Sequence, residues 1–248
     1  MARSSVSRSN KMIKVAAFAL GLSAVLCSGS AGAEQPVFGE MPRWAGGWGV
    51  QAVHEARQDQ ELTSQWMHLE GVYTWKRWIR MTAKIPFRTD DHAGLGTPTL
   101  ALPLKNYFNL DGRSGSWTLT PHLFVPVAGS AETQRKEQLA LTLGYETESY
   151  RSIGGLSVGF FRRTDALVEA HLHGALGINI HQLGSSGHIK LKGHARWRDD
   201  GGYSLRFGPT IYWRLNDRWH AQVAYKQSLL DKGYTQRVSL RSGLAMVF

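Results

Sequence analysis

In one stretch of this chain His188, Lys190, Lys192, His194, Arg196 and Arg198 stand at every second position. On an extended backbone successive side chains point to opposite faces, so these six form one basic row. Rows or rings of Arg and Lys create a positive potential that low-dielectric walls concentrate, which attracts anions and breaks no bonds. The same alternation elsewhere adds Glu169, His171, His173 and His181, then Arg206 and Arg214, His220 and Lys226, Arg237 and Arg241, and Arg80, Lys84 and Lys105. Acids on that face are few: Glu55, Glu70, Glu146 and Glu169. The expected binding set is therefore Arg80, Lys84, Lys105, His171, His173, Lys190, Lys192, His194, Arg196, Arg206, Arg214 and Arg241. Its expected role is attraction and screening of small anionic solutes. The plainer alternative is that these groups pair with acids and water and simply fill an interior.

Other chemistries fit less well. His171 and His173, with His181, His194 or Glu169, have the ligand types for zinc or copper. No Cys/His spacing motif accompanies them, and a chain with 10 histidines brings some together by chance, so neither a metal nor another cofactor is expected. Ser242 and His54 fall on the apolar faces of the last and first segments. A hydrolase site needs a nucleophile beside a base and a third group to orient it. The estimated register puts these two at different heights, no third partner is evident, and no G-x-S-x-G elbow occurs, so no catalytic residue is expected. Nucleic-acid binding, the other reading of a formal charge of +10, sits badly with the two chain ends described next.

In the last stretch, Tyr234 to Phe248, the residues Val238, Leu240, Leu244, Met246 and Phe248 are apolar and lie on one face, with Ser242 the one gap. Period two marks a strand with one greasy and one wet face. An unprotected terminal strand invites aggregation, and a closed membrane barrel removes the problem by pairing last strand with first. The terminal Phe248 with Met246 and Leu244 resembles the C-terminal signature of bacterial outer-membrane barrels, which implies handling by the barrel-assembly machinery. At the other end, residues 1–14 are basic, 15–26 are apolar, and Ala31-Gly32-Ala33 is a small-x-small cleavage signal. These are the parts of a secretory signal peptide, too short to span a bilayer as a helix. Cleavage is expected between Ala33 and Glu34, which removes Cys27, the only cysteine, and lowers the formal charge from +10 to +6 by the loss of Arg3, Arg8, Lys11 and Lys14.

Between these ends, short alternating segments recur at similar spacing: about 44–56, 62–75, 78–87, 97–107, 116–127, 137–147, 153–161, 166–181, 188–198, 203–215, 218–229 and 234–248. Turn residues separate them, including Lys76-Arg77 and a two-residue Asn216-Asp217 turn. Trp44, Trp75, Trp117, Tyr145, Trp197, Trp213 and Trp219 lie near segment ends on the apolar face, as interfacial aromatic belts do. The expectation is an all-β chain. Residues 34–248 form a transmembrane antiparallel up-and-down β-barrel of about twelve strands, monomeric, with outer-membrane lipid around it. An even strand count puts both termini on the periplasmic side. A soluble sandwich or lipocalin-like barrel would hide the apolar face inside.

Residues 94–107, GLGTPTLALPLKNY, and 116–129, SWTLTPHLFVPVAG, resemble a recurring passage of the outer-membrane family described as meta-pathway phenol degradation or transporter-like barrels. Gly94, Gly96, Leu100, Lys105, Tyr107, Pro126 and Gly129 match it, whereas Thr97 stands where Asp is usual and Pro103 interrupts the strand. The resemblance implies a channel for small organic compounds. N-terminal sequencing of the chain purified from outer membranes is expected to begin at Glu34; a start at Met1 would contradict the leader.

Overall fold

The structure is a computed structural model, and it describes residues 46–58, 63–110, 113–127, 137–163, 168–182, 185–234 and 237–248. The leader, the Ala33–Glu34 junction, Trp44 and the polar loop 128–136 lie outside these residues, as does the side chain of His181.

The strands are β1 (Gly47–Gln58), β2 (Thr63–Lys76), β3 (Ile79–Arg88), β4 (Gly94–Leu95), β5 (Thr99–Ala101), β6 (Leu104–Leu110), β7 (Arg113–Phe124), β8 (Glu137–Glu148), β9 (Ser152–Arg163), β10 (Val168–Gln182), β11 (Ser185–Arg198), β12 (Tyr203–Arg214), β13 (Trp219–Lys232) and β14 (Val238–Val247). Each pairs antiparallel with its neighbour, and β1 pairs both β2 and β14, so the sheet closes on itself. The pieces β4, β5 and β6 together fill one place between β3 and β7. The result is a twelve-strand transmembrane barrel with an up-and-down order.

The fourth expected segment, 97–107, is therefore a correction. It is two short strands, β5 and β6, with β4 just ahead of it, because Pro98 and Pro103 lack the amide hydrogens that a continuous ladder needs. Two turns also differ. Lys76 pairs with Ile79, so Arg77-Trp78 is the turn. The Asn216-Asp217 turn spans 215–218, since the Asn216 side-chain oxygen accepts from the amides of Arg218 and Trp219 at 2.9 and 2.8 Å and widens the loop. In β13 a register shift between Leu205 and Arg206 on the facing strand inserts one extra residue, which leaves both Leu229 and Leu230 exposed.

The burial pattern is inverted relative to a water-soluble fold. β1 alternates with Trp48, Val50 and Ala52 exposed and Gln51, Val53 and Glu55 buried. β2 does the same, with Trp66, His68, Glu70, Val72 and Thr74 inside. On the outside Leu141, Leu240 and Leu244 are about half exposed, at 50%, 49% and 47%. Trp48, Trp75, Trp78, Trp117, Trp219 and Phe248 cluster outside at the barrel end that carries the C-terminus, where indole rings suit a membrane interface. Only a surface meeting hydrocarbon makes this arrangement favourable, because each outer Leu would otherwise cost about 1.5–3 kcal/mol in water. Leu141→Arg, near the middle of β8, is expected to destabilise the refolded barrel by about 2–4 kcal/mol in lipid-vesicle unfolding titrations; a loss under roughly 0.5 kcal/mol would contradict a lipid-facing β8.

Candidate functional site: a basic lumen

Alternation sends one set of side chains from every strand into the interior. That set is polar: Thr74, Thr82, Thr118, Thr120, Thr142, Ser157, Ser204 and Thr210 are all buried, and charged groups lie among them. The acids are where the basic groups converge.

Glu55 is 1% exposed and bridges three strands. Its Oε2 accepts from Arg57 Nη2 at 3.0 Å and from Arg241 Nη2 at 3.0 Å, and lies 2.8 Å from His68 Nε2. Arg241 is the direct register partner of Glu55 across the β1–β14 closure. Glu169, equally buried, holds Arg163 Nη1 at 2.6 Å and His171 Nε2 at 3.1 Å. Lys84 Nζ lies 3.5 Å from Glu70, and Lys105 Nζ donates to Glu146 at 2.5 Å.

The expected binding residues thus divide. Lys84, Lys105 and Arg241 serve ion pairs. Arg80 is buried and donates to the Thr74 hydroxyl at 3.0 Å. Arg214 reaches out to Asp217 in the neighbouring turn, so it belongs to the rim of the barrel, not to its middle. The structure does bring together Lys190, Lys192, His194, Arg196 and Arg206. All point inward from the β11–β12 pair, where His194 faces Arg206 and His188 faces Tyr212. Across β10–β11, His171 faces Arg196 and His173 faces His194. From the loop between β13 and β14, the Tyr234 ring covers the Arg196 guanidinium at 4.2 Å and that of Arg198 at 5.3 Å. Burial pushes the Tyr234 hydroxyl up to about 12, and the Glu169 carboxylate adds to the shift, so Tyr234 stays a neutral phenol.

A band of rings was not expected. Phe124 and His122 on β7 lie 6.2 and 6.3 Å from Phe161 on β9, and Phe161 stacks on His171 at 3.9 Å. The band continues through His194 to His173, stacked at 3.8 Å. Phe124 and Phe161 share the parity of Thr118 and Ser157, so period-two counting alone assigns them to the interior. Arg57 shares the parity of Glu55 two residues before it on β1, so the same counting reaches that pair. The Arg163–Glu169 pair and the return of Tyr234 carry no such signal, because they depend on which segments become neighbours.

On the outer face, His54 and Ser242 are direct register partners, which corrects their expected separation in height. His54 faces Met67 on its other side and Ser242 faces Val223, so no acid flanks either. No hydrogen bond joins the two residues. The arrangement lacks the orienting group that a hydrolase needs.

Glu55→Gln removes the buried carboxylate that Arg57 and Arg241 share. It is expected to cost about 3–5 kcal/mol in unfolding free energy. In the double variant with Arg241→Gln part of that loss is recovered. Strictly additive losses in unfolding titrations would show that Glu55 and Arg241 do not interact.

No family model matches the chain, and no curated protein matches it. Solved structures do. The chain is similar to the COG4313 outer membrane channel from Pseudomonas putida F1, with a TM-score of 0.58 at 15% identity, covering 88% of this chain and 100% of that one. It is also similar to the KdgM porin, with a TM-score of 0.50 at 8% identity over 81% of this chain and 99% of that chain. A second KdgM porin structure, in complex with disordered oligogalacturonate, gives a TM-score of 0.51 at the same identity and coverage. At these identities the likeness establishes the fold: this chain is a barrel of the bacterial outer-membrane type.

Proposed function

We propose that the protein is a monomeric outer-membrane channel for passive uptake of small organic solutes, with a preference for anions. The observation that carries this reading is the inward cluster Lys190, Lys192, Arg196 and Arg206 on β11 and β12, in an interior where basic groups outnumber Glu55, Glu70, Glu146 and Glu169. Desolvation makes each lumen charge act over a longer range than it would in bulk water, so an excess of one sign biases which ions enter. Close packing of the inner side chains keeps the passage narrow and favours small solutes.

The similar solved structures support a channel over an enzyme: one is named a channel and two a porin. One of the porin structures holds oligogalacturonate, a chain of carboxylates, which is the chemistry that a basic lumen suits. The resemblance of residues 94–129 to the meta-pathway phenol degradation or transporter-like barrels points to small organic compounds. Secretion to the periplasm and delivery of β14, with Leu244, Met246 and Phe248, to the barrel-assembly machinery complete the reading.

A closed structural barrel is the other reading, favoured by the number of lumen side chains that are fully buried. Planar-bilayer recordings separate the two. The mature chain is expected to give discrete conductance steps and a reversal potential in a salt gradient on the anion side. Lys190→Gln, Lys192→Gln and Arg196→Gln combined are expected to shift that potential toward zero by at least half. A folded barrel without conductance would favour the closed reading, and unchanged selectivity would remove the role given to these cations.

A further inference from the structure

The lumen holds a cluster that the proposed transport does not need. His171 and His173 project inward from β10, and His194 projects toward them from β11, directly opposite His173. All three are buried, each 6% exposed. One nitrogen from each can be chosen so that all lie within 4.8 Å of one another. We propose that His171, His173 and His194 form a binding site for a transition-metal ion of the zinc type, with a fourth coordination position open to an anion from the lumen.

The donor chemistry selects the class of ion. Three neutral imidazoles without thiolate or ligating carboxylate suit Zn2+, Cu2+ or Ni2+ and suit Ca2+ and Mg2+ poorly. Three protein ligands leave a tetrahedral ion one free position. His171 is held as ligating histidines usually are: one ring nitrogen, Nε2, meets the Glu169 carboxylate at 3.1 Å, which fixes the ring's orientation. Arg163 fixes that carboxylate at 2.6 Å, and Phe161 backs the imidazole at 3.9 Å. The ligand atoms around a tetrahedral zinc lie about 3.3 Å apart, given zinc–nitrogen bonds of about 2.0–2.1 Å. Closing on the ion therefore turns the His173 and His194 rings out of their 3.8 Å stack.

The surrounding charge decides the fourth ligand. Arg196 stands opposite His171, and Arg206 stands opposite His194. These guanidiniums oppose a bare dication and favour an anion bound to it, so the site takes metal and anion together. It does not depend on whether solutes cross the lumen.

The test uses the mature chain without a polyhistidine tag, refolded in detergent and stripped with a chelator. Zn2+ is titrated calorimetrically in chloride buffer, and Co2+ is followed by visible absorption. One equivalent of Zn2+ should bind, and Co2+ should give the intense visible bands of a four-coordinate ion. His173→Gln and His194→Gln should each weaken binding by more than about 100-fold, the upper end of what losing a mere orienting partner costs. His54→Gln, on the outer face, should leave it unchanged. Every variant is checked for the gel shift of a folded barrel on heating, with His171→Gln replacing any that does not fold. No saturable binding near one equivalent, or affinity unchanged by both ligand variants, would overturn the site. A weak six-coordinate Co2+ spectrum would overturn it too.

Discussion

The structure depends on one closure. In hydrocarbon there is no water to satisfy an open sheet edge, so twelve strands are stable there only as a ring. The closing contact runs from Gly49 opposite Val247 to Gln58 opposite Val238, and the backbone of Phe248 bonds to Trp48 at its end. Glu55 sits on this seam and gathers Arg57, Arg241 and His68 from β1, β14 and β2. A buried carboxylate is expensive by itself, and pairing alone rarely makes it a net gain. What it supplies here is registry: a slip of one residue between β1 and β14 would send Arg241 to the lipid face and strand Glu55 inside.

Closure in turn fixes which side chains meet. Once the outer face is committed to Leu, Val, Ile and Trp, the charges of the mid-strand positions go inward, and an outward one such as Arg162 stands at a strand end. The interior holds only a few apolar groups, such as Val53, Trp66, Val72 and Phe124, so its Thr, Ser, His, Arg and Lys residues pack largely on each other. The few acids organise this interior by drawing cations into local clusters, at Glu55 on one side and Glu169 on another. In the proposed channel the basic groups of the β11–β12 wall set the sign of the field, and Tyr234 folds in over Arg196 beside them.

Much of this was legible from residue parity. Strand existence, the inward row from His188 to Arg198, the outward Trp residues and the alternation of β14 all follow from a period of two, which a closed barrel leaves undisturbed. Parity failed where the backbone chemistry departs from a plain strand, as at Pro98 and Pro103, where one expected strand is broken into β5 and β6 with β4 ahead of them. It also cannot give height. His54 and Ser242 were placed apart and are register partners, because register depends on turn lengths such as the widened loop at Asn216. For the same reason the sequence offered His181, His194 or Glu169 as further partners of His171 and His173, and His194 is singled out only when β10 and β11 are aligned.

In this barrel the polar face lines the lumen and the apolar face meets lipid. Spin labels at single cysteines replacing Leu191, Lys192, Leu240 and Arg241, in chains reconstituted in bilayers, measure this directly through their accessibility to oxygen and to a water-soluble nickel complex. Labels at 191 and 240 should favour oxygen, and labels at 192 and 241 should favour the nickel complex, with the preference alternating between adjacent residues. The reverse pattern, or none, would contradict the inverted barrel and with it the basic lumen.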